Sequence, residues 1–224
     1  MEKQESKRRF PTFPQPRRLP TITTYGIRIL RARAPPPKAE TKIRLVEEDE
    51  ATGETAAVYQ YFRDQTGRQD VPGILKCFAT NPAYARQMVD ISLSLLFSDG
   101  FLTRRQKELI ATYVSYLNAC PYCLDSHGFF LIVHGTAEES AQSVVNGDLT
   151  GLEEAERRLL LYLSKVNSKS FHTTQEDVLR LCNLGWREEQ IAEAVHVAAM
   201  MGLCNRVANA FGLPSQDLLS LNRD

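Results

Sequence analysis

From residue 56 to residue 211 apolar positions return every three to four residues, the spacing that brings side chains to one face of an α-helix, and strand-like alternation is almost absent. Residues 56–67 predict a helix with Val58, Tyr59 and Phe62 turned inward, and Asp70-Val71-Pro72-Gly73 reads as a turn. Asn81-Pro82 opens a helix whose stripe is Met88, Ile91, Leu95 and Leu96 and which stops at Asp99-Gly100. Residues 103–106 have the Thr-x-x-Gln form of a capping box, and Leu109, Ile110, Tyr113, Val114 and Leu117 follow on one face. A helix begun at Pro121 closes near His134-Gly135, and a shorter one covers residues 137–146. Leu159, Leu160 and Leu163 stripe a helix over 153–166, and residues 173–176 cap another that stops at Leu184-Gly185. A long alanine-rich helix over 188–211 ends at Gly212-Leu213-Pro214. The expected fold is all-α, a bundle of eight or nine helices. Segments 103–134 and 173–211, each a capped helix, a turn and a second helix, read as distant copies of one unit.

The last helix is apolar on nearly every face through residues 194–201, which points to burial on all sides and hence to a subunit interface in a homo-oligomer. His196, among Val195, Val197 and Ala198, reads as a core or interface histidine, and Trp186 as core. Asn205-Arg206, a polar pair inside apolar sequence, needs partners or a cavity: the active-site pocket or a subunit contact. His134 and His172 fall at helix or loop ends, where hydrogen bonds or solvent satisfy them.

Composition adds a second segment. The chain has 224 residues, 43% hydrophobic, enough to bury a substantial core. Residues 1–44 hold twelve Lys or Arg against three Asp or Glu; because the whole chain is neutral, the remainder carries nine net negative charges. Seven of the eleven prolines lie in residues 1–37. Such a segment is expected to be an extended or disordered arm, with Thr21 to Leu30 as its one stretch able to pack. The chain therefore divides into an arm at 1–42 and a helical domain at 43–224. No apolar signal region follows the basic start and no run reaches membrane-spanning length, so a cytoplasmic protein without a membrane or nucleic-acid partner is expected. Five cysteines suit a reducing compartment with one dedicated redox pair; Cys77, Cys182 and Cys204 sit among apolar neighbours as core.

That pair is Cys120-Pro121-Tyr122-Cys123. With Pro121 at the first helical position, Cys123 falls in the first turn, where free N–H groups and the helix dipole favour a thiolate. His127, four residues on, shares its face. Glu108, on the edge of the preceding stripe, is placed to orient or deprotonate His127. Tyr116 and Tyr122 flank the pair and shape its mouth. Three other readings stay open at this level: a zinc site using His127 with Glu108, His134 or Cys204; buried inert cysteines; and a glutaredoxin-like site, whose tetrapeptide this is but whose strand-loop-helix context is missing.

Glu108, eleven residues, Cys120, two residues, Cys123, three residues, His127 resembles the signature of the AhpD-like alkylhydroperoxidases of the carboxymuconolactone decarboxylase superfamily. Residues 105–110, 115–120 and 204–212 look like its peroxidase-related branch, and the resemblance spans about residues 43–213. It implies an AhpD-like helical bundle, Cys123 as the peroxidatic thiolate, Cys120 as the resolving cysteine, and His127 with Glu108 as the proton relay. No bound cofactor is implied; the substrates are peroxide and an external dithiol or lipoyl-type donor, in a homo-oligomer with the site near subunit boundaries. Some members carry a second histidine between the cysteines, where this chain has Tyr122. The alternative is a redox-responsive interaction protein or general disulfide oxidoreductase with little peroxidase turnover. Decarboxylase relatives usually lack the cysteine pair.

Overall fold

A computed structural model describes residues 40–222. Among them nine α-helices follow one another without a strand: α1 Gly53–Thr66, α2 Gly73–Phe78, α3 Pro82–Ile91, α4 Arg104–Leu117, α5 Pro121–Val133, α6 Glu138–Val145, α7 Glu154–Lys169, α8 Gln175–Asn183 and α9 Glu188–Phe211. The all-α expectation holds. The basic arm, apart from residues 40–42, lies outside the described residues, as does Thr21 to Leu30. Lys42 already belongs to the folded body: its N–H donates to the Phe211 carbonyl at 2.8 Å and its ammonium to the Asn209 carbonyl at 3.3 Å, a cation on the C-terminal end of α9.

Local chemistry sets the helix ends. The Asn81 side chain accepts from the Tyr84 N–H with Pro82 at the first helical position, and Thr103 and Gln106 close a reciprocal capping box on α4. Gly67 and Gly212 end α1 and α9 in the left-handed region, at φ 69° and 75°. On α8 the capping pair is Thr174 with Asp177, one residue beyond the expected start. Helix α2 and a π turn are among the elements outside the sequence expectation. The six residues of α2 make too few turns to print a periodicity. After α3 the chain continues as a π turn, Ser92–Leu96, in which the Phe97 N–H reaches the Ser92 carbonyl at 2.8 Å.

Two apolar clusters form the interior. The larger gathers Leu109, Ile110 and Val114 of α4, Leu160 and Leu163 of α7, and Ala194, Val197 and Met201 of α9. The smaller joins Tyr59 and Phe62 of α1, Leu75 and Phe78 of α2, and Met88 and Val89 of α3, and reaches Cys204 on α9. Trp186 is core, with its indole N–H on the Ala155 carbonyl at 2.9 Å. Helix α4 packs most extensively on α5 and next on α9, so the turn from α4 to α5 lies where three helices meet.

Within the protomer the last helix has two faces. It buries one side, through Ile191, Ala194, Val197, Ala198, Met201 and Asn205, and leaves Ala192, His196, Ala199, Leu203, Arg206 and Ala210 exposed at intervals of three and four. His196 is thus on the open face of the protomer rather than in its core. No helix among the described residues is long and apolar enough to cross a membrane.

Candidate active site

Glu108 sits on the buried face of α4, fully enclosed. A carboxylate there needs charge partners, and it has two. His127 Nδ1 of α5 lies 2.7 Å from Oε2, and the Arg104 guanidinium, one turn back on α4, forms an ion pair with Oε1. Burial works against ionisation, but Arg104 and then His127 outweigh it and hold the carboxyl below the ordinary value of 4.5. An ionised carboxylate only accepts, so Nδ1 of His127 carries the hydrogen and Nε2 is left to take or return a proton.

The cysteines come from the turn. Cys120 is the N-cap of α5, Pro121 its first helical residue, and Cys123 lies in its first turn, as expected. Both sulfurs are buried. The two thiols influence each other's ionisation. The hydrogen bond from Cys123, with the backbone N–H groups of Cys123 and Tyr122 at the helix start and the Asn205 amide, lowers Cys120 to about 7. Donating to Cys120, together with burial, pushes Cys123 the other way. The hydrogen bonds at the helix start thus favour ionisation of Cys120, and burial opposes that of Cys123.

Access divides the pair differently. A cavity of about 110 Å³, walled by apolar groups such as Phe78, Met88, Leu93 and Met200, is lined by Cys123 and His127 but not by Cys120. The π turn after α3 supplies Leu93 and Leu96 to this wall, and the C-terminal segment supplies Gln216 and Leu218. Asp125 of α5 pins that segment, accepting from the backbone N–H groups of Gln216, Leu218 and Leu219 at 3.0 Å each.

The turn itself is strained and latched. Ala119 adopts φ 46°, a left-handed conformation uncommon for a residue with a Cβ. Asn118 beside it donates to Asn205 Oδ1 at 2.9 Å, exchanges amide hydrogen bonds with Asn167 at 2.9 and 3.2 Å, and offers its carbonyl to Asn209 at 3.0 Å. Asn205 donates onward to the Ser115 hydroxyl at 3.1 Å. Of the polar pair on α9, Asn205 is thus fully buried at the site, while Arg206 is exposed and turns back to the Gly202 carbonyl at 2.7 Å.

Other sequence candidates separate cleanly. Tyr122 lines the cavity but is buried, with its hydroxyl accepting from the Ile74 N–H at 3.3 Å and its proton held more tightly than in a free phenol by desolvation. It is part of the wall. Tyr116 is exposed and stacks on Tyr113. His134 accepts from Arg104 Nε at 3.3 Å, and His172 lies against the exposed Phe171 with the rings tilted by 40°. Cys77 and Cys204 are buried thiols pushed up to about 12 by desolvation, although Cys204 also borders the cavity. Among the described residues no group of three or more His, Cys, Asp or Glu side chains is arranged to hold a metal ion. Sequence reasoning missed Arg104, one turn before Glu108 on α4, and Asn118, Asn167 and Ser115, whose partners are distant along the chain.

Residues 82–164, the segment holding Glu108, both cysteines and His127, match the carboxymuconolactone decarboxylase family. Several solved structures share the fold. A protein described as the alkylhydroperoxidase AhpD core, an uncharacterised peroxidase-related protein of Ralstonia eutropha JMP134, is 24% identical with a TM-score of 0.73, over 84% of this chain and 99% of that one. A peroxidase-related protein of Silicibacter sp. TM1040 is 24% identical with a TM-score of 0.71, over 83% and 97%. The debrominase Bmp8, solved as a cysteine-to-alanine variant with 2,3,4-tribromopyrrole, is 18% identical with a TM-score of 0.63, over 82% and 97%. No curated protein matches the chain by sequence. The chain thus carries a segment that matches the carboxymuconolactone decarboxylase family, within a fold shared with AhpD-like, peroxidase-related proteins.

Proposed function

We propose that this protein is a thiol-dependent peroxidase that reduces alkyl hydroperoxides or hydrogen peroxide through Cys120 and Cys123. The observation that carries the reading is that His127, held by Glu108 at 2.7 Å, lines the same apolar cavity as Cys123.

The chemistry follows from that arrangement. Moving the Cys123 proton to Nε2 of His127 leaves a Cys123 thiolate facing the cavity and a proton for the leaving group. The thiolate attacks one peroxide oxygen: an S–O bond forms, the O–O bond breaks, and the leaving alkoxide or hydroxide takes its proton from His127. Cys123 is then a sulfenic acid, oxidised by two electrons. The Cys120 sulfur displaces its hydroxyl as water, closing the Cys120–Cys123 disulfide. An external dithiol, of lipoyl or thioredoxin type, reduces that disulfide and is itself oxidised. The apolar walls favour the alkyl group of an organic hydroperoxide. The exposed stripe of α9 is a surface on which copies of the chain would assemble.

Peroxide consumption with excess dithiol tests the reading. Wild type should turn over, and Cys123→Ser should lose turnover; full turnover by Cys123→Ser excludes the mechanism. One observation favours a second reading. Tyr122 stands where some relatives keep a second histidine, and its buried, tightly held proton supplies no substitute. A redox-responsive protein or general disulfide oxidoreductase would form the Cys120–Cys123 disulfide reversibly with negligible peroxide turnover, and the same assay separates the two.

A further inference from the structure

Arg104 is held from four sides. Its guanidinium pairs with Glu108 Oε1 and donates to the Leu96 carbonyl, its Nε donates to His134 Nε2 at 3.3 Å, and it lies over the Phe97 ring with 4.7 Å to the centroid. Only 13% of the side chain is exposed. So much fixation serves one evident purpose, because among the described residues the carboxylate that the guanidinium pairs with is the one that holds His127.

We propose that Arg104, braced by His134, is a positioning residue of the redox site: it keeps Glu108 charged and aimed at His127, and so sets how readily the thiol pair ionises. This deepens the peroxidase reading and rests on it for its catalytic meaning.

The charge balance gives the direction of the effect. Around Glu108 stand Arg104 on its own helix, His127 and His134 from α5, and Asp99 from the loop after the π turn, whose carboxylate accepts the Arg104 backbone N–H at 2.6 Å. The nearby Lys107 is fully buried and committed elsewhere, to Glu193 of α9 at 2.7 Å and the Ser98 carbonyl at 2.8 Å. Around the sulfurs stand Asn205 and Cys204 of α9. With Arg104 in place the arginine and glutamate charges cancel, and a thiolate adds one negative charge to a neutral site. Without it, either Glu108 stays charged and repels the thiolate or it takes a proton and lets His127 go. His134 braces the guanidinium as an acceptor, a role that requires a neutral Nε2, and burial together with Arg104 lowers its proton affinity.

The test is the pH profile of iodoacetamide alkylation of the Cys120–Cys123 pair in the full-length protein, with Cys77, Cys182 and Cys204 distinguished by mass spectrometry. In Arg104→Gln the midpoint should rise by about one unit, so that the ionised fraction at pH 7 falls from about one half to about one tenth. Arg104→Lys, which keeps the charge, should hold the midpoint near wild type, and His134→Leu should move it the same way as Arg104→Gln but by less. If Arg104→Gln does not fold, the contrast between Arg104→Lys and His134→Leu carries the test. An unmoved midpoint in folded Arg104→Gln, a full upward shift in Arg104→Lys, or an unmoved one in His134→Leu overturns the proposal. Alkylation needs no peroxide, so the predicted shift in a protein without turnover would remove the peroxidase reading alone. An unmoved midpoint in an active peroxidase would remove only this inference.

Discussion

His127 Nδ1 lies 2.7 Å from Glu108 Oε2, and the carboxylate making that contact is completely buried between α4 and α5. The pair is therefore a stability element, because a buried ionised group survives only with its partners in place, and in the proposed reading a chemical one too.

Glu108→Gln separates the two roles. It keeps the shape but strips the charge, leaving Arg104 nearly buried without its counter-ion. The variant should lose about 3 kcal/mol of folding stability and about 10²-fold or more in peroxide turnover, checked by chemical denaturation and by the dithiol-coupled assay. The pH dependence has a defined sign. The folded pKa of Glu108 is depressed, so its stabilisation is complete above the ordinary value of 4.5 and is lost as pH falls below it. Wild type should therefore weaken in acid more steeply than Glu108→Gln.

Thiol ionisation gives a second prediction. The first proton should leave the cysteine pair near pH 7 rather than 9, because the charge settles on a sulfur that receives hydrogen bonds at a helix start. Alkylation should rise about tenfold for each pH unit below that midpoint and level off above it. A midpoint close to 9 would remove the N-cap explanation.

Asn205→Leu tests the latch. It fits the volume but leaves the Asn118 amide and the Ser115 hydroxyl without their partner, at a cost of about 1–3 kcal/mol. It also removes a donor to Cys120, so the alkylation midpoint should move up. Arg206→Ala, next in sequence but exposed, should change neither quantity measurably.

How much of this was legible beforehand follows from which forces are local. The capping box of Thr103 and Gln106, the Pro121 start of α5 and the Gly212 stop of α9 are set by neighbours in sequence, and these ends fell where the residues placed them. The four residues of the signature share two consecutive helices, so their spacing alone indicated a common site. What stayed hidden depends on distant chain. Arg104 reads as one more surface charge until Glu108 and His134 are seen around it. Asn118 is 49 residues from Asn167 and 87 from Asn205. The uneven exposure of α9 was hidden because alanines and a histidine occupy its open face, so hydropathy reads both faces alike.

Lys107 offers a fourth test, away from the chemistry. Its ammonium is fully buried against Glu193 and the Ser98 carbonyl. Lys107→Met should cost about 3–5 kcal/mol by stranding Glu193, and adding Glu193→Leu should return part of that loss although the Leu102 N–H then lacks its acceptor. Urea denaturation of the two variants decides whether the ion pair or general packing dominates there.

The division of labour between the sulfurs is the central claim, and one measurement addresses it most directly. Cys120→Ser protein is treated with one equivalent of alkyl hydroperoxide in the presence of dimedone and digested for mass spectrometry. The account predicts a single stoichiometric peroxide reduction with the sulfenic-acid adduct on Cys123. Absence of the adduct from Cys123, or an equal adduct on Cys120 in the Cys123→Ser protein, would contradict it.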